Sequence, residues 1–302
     1  MCGIVGLFAK SSAVEERLGA HLGEMLVQMS DRGPDSAGVA FYRDAATSGS
    51  TKVSLYSADP GYAWQDLTEA LRGTFGGDPL AAVRASHAVV TIDADADAAQ
   101  GWLRENHPDL RIMSAGERIE IYKEMGHPND FVERFALQDI RASHGLGHTR
   151  MATESRVTTE HSHPFSTGLD LCLVHNGSLS NHNRLRKELE REGLRFGTDN
   201  DSEVAAGYLT WRIREGATLE QALEGCLRDL DGFYTFLVGT SDGFAVLRDP
   251  IACKPAVLAE TDDWVAMASE YRAIDVLPGA EHAEVWEPAP ARVYSWAREL
   301  VG

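Results

Sequence analysis

The chain opens Met1-Cys2-Gly3-Ile4-Val5-Gly6-Leu7-Phe8. The apolar run from Ile4 to Phe8 reads as a buried strand, and it carries a cysteine at its leading end. A cysteine thiol with an ordinary pKa of about 8.5 is mostly protonated at neutral pH and needs a base before it attacks anything. Removal of Met1 gives Cys2 a free α-amine, which titrates near ~8 and takes up the thiol proton directly or through one water. One residue then supplies nucleophile and base together. Gly3 lets backbone and substrate approach closely, and the strand behind it holds the terminus still. An inert cysteine at position two fits these residues equally well, so the rest of the chain has to decide.

Around that terminus lie 302 residues, 43% of them hydrophobic, enough for one large core or two small ones. Lys and Arg number 28 against 46 Asp and Glu, a formal charge of −18. So acidic a surface repels phosphate backbones, and nucleic acid is not an expected partner. Cys2, Cys172, Cys226 and Cys253 are scattered without a C-x-x-C pair, which argues against a zinc knuckle or a disulfide framework. There is no basic leader, and no apolar stretch reaches the roughly 18 residues needed to span a bilayer. A cytoplasmic chain with no membrane partner is expected.

Apolar residues Val14, Leu18, Leu22, Met25, Leu26 and Met29 recur at helical spacing, and Ser30-Asp31-Arg32-Gly33-Pro34-Asp35 breaks that helix. Strands are expected over 38–42 and 52–56. Residues 76–141 read as a separate α+β insert in βαββα order, with helices over 95–106 and 129–136. The main pattern resumes at His144. A strand over 170–175 is expected to end in the turn His175-Asn176-Gly177, and Asn181 to cap a helix over 181–191. Helices over 201–214 and 219–230 follow, then strands over 233–240, 244–249, 256–259 and 264–268. Strands at both ends with helices between them favour sheets stacked under helical layers.

Several loops carry polar residues of complementary type. Arg150 offers a bidentate fork for a carboxylate, or is a surface or ion-pair arginine. Asn176-Gly177 offers a side-chain amide and an unhindered backbone N–H, the pair an oxyanion hole needs, or is an ordinary hairpin turn. Asp201 binds a substrate ammonium or caps its helix, and Arg32 braces the nucleophile's loop or belongs to a plain turn. His161-x-His163 has metal-ligand character, but no acidic or cysteine partner stands at ligand spacing nearby, so no metal is expected.

As an ordered set these segments resemble class II glutamine amidotransferases, members of the N-terminal nucleophile hydrolases. Cys2-Gly3-Ile4-Val5-Gly6 matches that family's start, and Arg32-Gly33-Pro34-Asp35-Ser36-Ala37-Gly38 looks like its R-G-x-D-S-x-G motif. Gly147-His148-Thr149-Arg150-Met151-Ala152-Thr153, His163-Pro164, His175-Asn176-Gly177 and Asp201-Ser202-Glu203 look like its later motifs. Arg248-Asp249-Pro250 and Ala268-Ser269-Glu270 look like its structural ones. The resemblance implies an α+β, four-layer αββα sandwich over 1–302 with the small insert at 76–141. It implies Cys2 as nucleophile, and Asn176 and Gly177 as oxyanion donors. Arg150 would sit on the glutamine carboxylate, Thr153 and His163 would line the pocket, Asp201 would take the α-ammonium, and Arg32 would support the loop. One departure is Glu154-Ser155, where many relatives have a neutral residue or His followed by glycine. Glu154 competes for Arg150, helps hold an ammonium, or points into solvent.

No synthase domain follows within these residues, so the ammonia acceptor is expected on a different polypeptide. The chain is most similar to stand-alone amidotransferase-like subunits of glutamate-synthase-like systems, including the first subunit of N-methylglutamate synthase. That resemblance implies a hetero-oligomer, glutamine as substrate, no cofactor in this chain, and FMN on a partner subunit. A stand-alone γ-glutamyl amide hydrolase and a non-catalytic scaffold or regulatory subunit are the alternatives.

Overall fold

The opening run forms the strand Gly3–Ala9, buried at every position because it lies inside a sheet. It pairs antiparallel with Trp264–Ala268 on one side and His144–Arg150 on the other. The structure is a computed structural model that describes residues 2–151 and 157–298. Among these, the first sheet has seven strands, in the order Glu284–Trp286, Val257–Glu260, Trp264–Ala268, Gly3–Ala9, His144–Arg150, Ser36–Tyr42 and Ile119–Met125. A second sheet of five is ordered Val293–Ala297, Gly243–Arg248, Gly232–Gly239, Leu171–Leu179 and Phe165–Gly168.

Alternation along the first strand builds the layers, since successive side chains point to opposite faces. Val5 and Leu7 meet Leu22, Met25 and Leu26 of the helix Leu18–Gln28 on the outer face. Ile4 and Phe8 point the other way and pack with Val174, Leu237 and Val246 of the second sheet. The far face of that sheet, through Leu173, Phe236 and Leu247, packs on Leu189, Leu209 and Leu223. These belong to the helices His182–Arg191, Asp201–Arg214 and Leu219–Asp229. The result is helix, sheet, sheet, helix, as expected for an N-terminal nucleophile hydrolase.

Two local expectations need correcting. The helix expected over 14–29 is two helices, Ser12–Glu16 and Leu18–Gln28, because the Gly19 amide leaves the ladder to donate to the Ile140 carbonyl at 2.9 Å. Asn181 flanks His182–Arg191 without capping it; its side chain accepts from the Asp231 amide and donates to the Asp229 carbonyl.

The separate layer is a third sheet, ordered Leu80–Arg84, His87–Ile92, Thr51–Tyr56 and Arg111–Gly116, under the helices Trp64–Phe75 and Ala96–Asn106. Its own core contains Val53, Leu55, Leu67, Leu71, Val90 and Leu103. Its strands thus begin at Thr51 and end at Gly116, so the expected insert bounds of 76–141 do not describe it. Ile119–Met125 instead pairs with Ser36–Tyr42 at the edge of the first sheet, with Ile119 and Ile121 in the inter-sheet core. Phe131 of Pro128–Arg134 joins the helix layer over that sheet. The junction is closed by Asp170, whose carboxylate accepts the backbone N–H groups of Glu117, Arg118 and Ile119 at 2.7–2.9 Å.

Candidate active site

Cys2 precedes the first strand, and the register that sets Gly3 opposite Thr149 brings it beside Arg150 and Met151. Its Sγ lies 3.9 Å from the Met151 carbonyl oxygen. The Cys2 carbonyl is held from two directions: Arg32 Nε donates to it at 3.0 Å and Asn176 Nδ2 at 3.1 Å. Arg32 comes from the 3-10 turn Ser30–Arg32 that ends the first helical segment, and its Nη1 also donates to Glu270. That hydrogen bond, with Arg272 adding to it, holds the Glu270 carboxyl below the usual carboxylate range. Arg32 therefore braces Cys2 through a fork with an acidic anchor behind it.

Asn176-Gly177 does not form the hairpin turn that its composition suggests. The strand Leu171–Leu179 runs straight through it, pairing Asn176 with Thr235 and Gly177 with Tyr234. Gly177 has φ +153°, and a Cβ there would stand 2.0 Å from the Phe233 carbonyl oxygen, so only glycine fits. Asn176 is buried, and its amide donates to both the Cys2 carbonyl and Ser269 Oγ, the latter at 3.2 Å. Ser269 Oγ also accepts the Ile4 amide at 2.9 Å. Asn176 and the strand behind Cys2 are thus stitched to one hydroxyl.

Behind Asn176 stands a row of imidazoles. His148 Nε2 is 3.2 Å from Asn176 Oδ1, and because Nδ2 of that amide is donating, Oδ1 accepts and His148 Nε2 carries the proton. Burial pushes His148 down to about 3, so it is neutral here. His163 packs against it with ring centroids 4.0 Å apart. Ser202 Oγ lies 2.9 Å from both His163 Nε2 and His175 Nδ1. Burial lowers both of these pKa values too, while Asp201 opposes the shift at His175.

Asp201 starts the helix Asp201–Arg214 but does not cap it; Asn200 does, accepting the Ser202 amide at 2.8 Å. Asp201 Oδ2 accepts the Leu179 amide at 2.9 Å, and Oδ1 lies 3.9 Å from His175 Nδ1. Arg150 ends the strand His144–Arg150, is buried, and donates through Nη1 to the His161 carbonyl at 3.1 Å. His161 itself pairs with Asp199 at 3.0 Å, so its ring and that of His163 serve different partners. Thr153, Glu154 and Met1 lie outside the described residues.

The structure therefore joins Cys2, Arg32 and Asn176 by direct hydrogen bonds, and links His163 to the Asp201 helix through Ser202. Sequence reasoning gave no site role to Ser202, Ser269, Glu270 or His148. Their motifs were visible, but only the register of distant strands shows what each side chain touches.

The family model for the glutamine amidotransferase domain matches residues 148–276. The glutamine amidotransferase-like protein GlxB of Rhizobium meliloti (strain 1021) is 58% identical over 297 residues, 98% of this chain and 98% of that protein. An amidophosphoribosyltransferase of Methanocaldococcus jannaschii is 32% identical over 178 residues, 58% of this chain and 38% of the relative. Among solved structures, glutamine phosphoribosylpyrophosphate amidotransferase from B. subtilis is similar with a TM-score of 0.61 at 21% identity, over 99% of this chain and 50% of that one. The chain thus spans about half the length of that enzyme, and the likeness speaks for the fold. With motif order, layer order and a near-full-length relative in agreement, the chain belongs to the class II glutamine amidotransferases and has their N-terminal nucleophile hydrolase fold.

Proposed function

We propose that this chain hydrolyses the side-chain amide of glutamine through a glutamyl thioester on Cys2, and that the ammonia passes to a separate glutamate-synthase-like partner that carries FMN. The first subunit of N-methylglutamate synthase is the nearest functional counterpart in this reading. The observation that carries the hydrolysis is the double hold on the Cys2 carbonyl by Arg32 and Asn176. A terminal residue anchored this way presents its thiol and its α-amine in a fixed geometry, which is what a positioned nucleophile and base require.

The chemistry follows from those positions. Cys2 Sγ attacks the amide carbon while its proton moves to the α-amine, and the C=O electron pair moves onto oxygen. Asn176 Nδ2–H and the Gly177 N–H stabilise that oxyanion. Both N–H groups of Asn176 are engaged in the free protein, so an oxyanion takes the place of one of these acceptors or shares its N–H. Collapse breaks the C–N bond, and the α-ammonium supplies the proton with which ammonia leaves. Water then attacks the thioester, releasing glutamate and returning the thiol. Arg150 would grip the glutamine carboxylate and Asp201 the α-ammonium, with the neutral His163 against the pocket wall.

GlxB is covered over 98% of its length by this chain, which leaves no room in that protein for a synthase domain. This supports an acceptor on another polypeptide. The test is intact mass, ammonia release from glutamine by wild type and Cys2→Ala, and the absorbance of co-purifying flavin. Loss of Met1, release abolished in Cys2→Ala and a stoichiometric flavoprotein partner are expected. Release without any partner points to a stand-alone γ-glutamyl amide hydrolase. No release in the presence of the partner points to a scaffold, and full activity in Cys2→Ala sinks the nucleophile assignment.

A further inference from the structure

Lys123 is a fully charged residue type in a place where the pattern calls for an aliphatic one. It follows Ile119 and Ile121 on the inter-sheet face of Ile119–Met125 and is only 3% exposed. A buried ammonium is costly unless every proton finds an acceptor. Here the Nζ donates to the backbone carbonyls of Glu160, Ser162 and Pro164 at 3.2, 2.8 and 3.1 Å. An ammonium has three N–H donors and no acceptor capacity, so three carbonyls match it fully. The ring of Phe165 lies 4.5 Å from the same Nζ and supplies a π face. Burial lowers the lysine to about 8, opposed by the carboxylates of Glu203 and Glu160, so the ammonium is charged at neutral pH.

The three carbonyls belong to the segment that builds the substrate side of the site. Within it His161 offers its carbonyl to Arg150, and His163 reaches Ser202. The opposite wall of the seat is Gly38, the cross-strand partner of Lys123. A Cβ at Gly38 would fall 2.1 Å from the His163 carbonyl oxygen, so the segment rests directly on bare backbone there. Resting on the functional reading above, we infer that Lys123 is a positioning residue for glutamine recognition. Its ammonium tethers residues 160–164, and through the His161 carbonyl and the His163 ring it sets the pocket that receives glutamine.

The tether acts on binding and leaves the nucleophile alone, because Cys2, Arg32 and Asn176 make no hydrogen bond to the segment among the described contacts. In Lys123→Met, which keeps shape and loses all donors, KM for glutamine is expected to rise about tenfold or more, with kcat within about threefold. Amides of 162–165 should exchange faster with solvent. Lys123→Arg, which keeps charge and donors, should recover part of the KM. Lys52→Met is the control: Lys52 also bonds a buried carboxylate, Glu120, but lies away from the segment. It should lower stability and leave KM unchanged. Wild-type KM and wild-type exchange in Lys123→Met overturn the inference, as does an equal rise in KM in Lys52→Met.

Should Lys123→Met not fold, Lys123→Gln, with two N–H groups for three carbonyls, is judged by the same outcomes. In the wild type alone, the Lys123 side-chain ammonium should give a slowly exchanging nitrogen resonance, and rapid exchange overturns the tether. If the wild type releases no ammonia from glutamine, the amidotransferase reading fails while hydrogen exchange still decides whether Lys123 holds the segment.

Discussion

Ser269 is the sharpest place to perturb the site without touching a group assigned to glutamine. Its hydroxyl accepts the Ile4 amide at 2.9 Å and the Asn176 side chain at 3.2 Å, and it is 2% exposed. Ser269→Ala leaves the buried Ile4 N–H without its side-chain acceptor, which costs about 1–3 kcal/mol. Asn176 Nδ2 loses one acceptor and keeps the Cys2 carbonyl as the other. A net loss of about 2 kcal/mol is a substantial share of a typical folding stability of roughly 5–15 kcal/mol. For activity, Asn176 is left oriented by the Cys2 carbonyl and His148 alone. One net hydrogen bond is worth about 1 kcal/mol, so kcat should fall roughly five- to tenfold. KM should hold, because the described side-chain hydrogen bonds of Ser269 go to Ile4 and Asn176. Steady-state ammonia release and thermal unfolding of the same preparation measure both quantities. A folded variant with unchanged midpoint and unchanged kcat would refute the claim that one hydroxyl couples strand and oxyanion donor.

Acid should destabilise the fold through its buried imidazoles. His87 has no exposure and an unpartnered Nε2, and burial, with the Lys123 charge adding, takes it down to about 3. Between the ordinary value near ~6.5 and about 3 the unfolded chain binds the extra proton, so stability falls with pH by roughly 1.4 kcal/mol per unit for that group. His87→Phe removes this contribution, and its advantage in thermal midpoint over wild type should widen from pH 6.5 to 4; parallel curves would contradict it. Asp170→Asn replaces a carboxylate that serves three amides, which should cost about 2 kcal/mol and speed exchange at Glu117, Arg118 and Ile119. Unchanged protection there would show that the third sheet is held by its other contacts. Gly177→Ala puts a Cβ within 2.0 Å of a carbonyl inside a paired strand and should abolish ammonia release or soluble expression, and an active variant would mean the strand gives way.

The layer order was readable because alternation along Ile4 to Phe8 and the helical spacing of Leu18 to Met29 each name a buried face. What alternation does not name is the neighbour. Ile119 and Ile121 alternate as any strand would, and whether they join the small sheet or the large one depends on a partner some 80 residues earlier. Asn176-Gly177 failed for a related reason. Its composition is that of a local hairpin, yet its pairing partner is Thr235-Tyr234, and the left-handed freedom of Gly177 is spent on a close approach instead of a turn. The structure brings Cys2, Arg32 and Asn176 together through direct hydrogen bonds, and residues with motif signatures were legible as candidates. Ser202 and Ser269 were not, because a hydroxyl's role is defined by what arrives from elsewhere in the chain.

The clasps on Cys2 also set a clock. Arg32 stands only 30 positions from Cys2, but Asn176 is 174 positions downstream and is backed by Ser269, 265 positions from Ile4. A ribosome adding roughly 5–20 residues per second needs on the order of tens of seconds to deliver them. Throughout that interval the amino terminus is a free end that an aminopeptidase can grasp. Once Trp264–Ala268 docks against Gly3–Ala9, the peptide after Cys2 is pinned on both sides. The proposed function needs Met1 removed, and this interval is the stretch of synthesis in which neither Asn176 nor Ser269 yet holds the terminus.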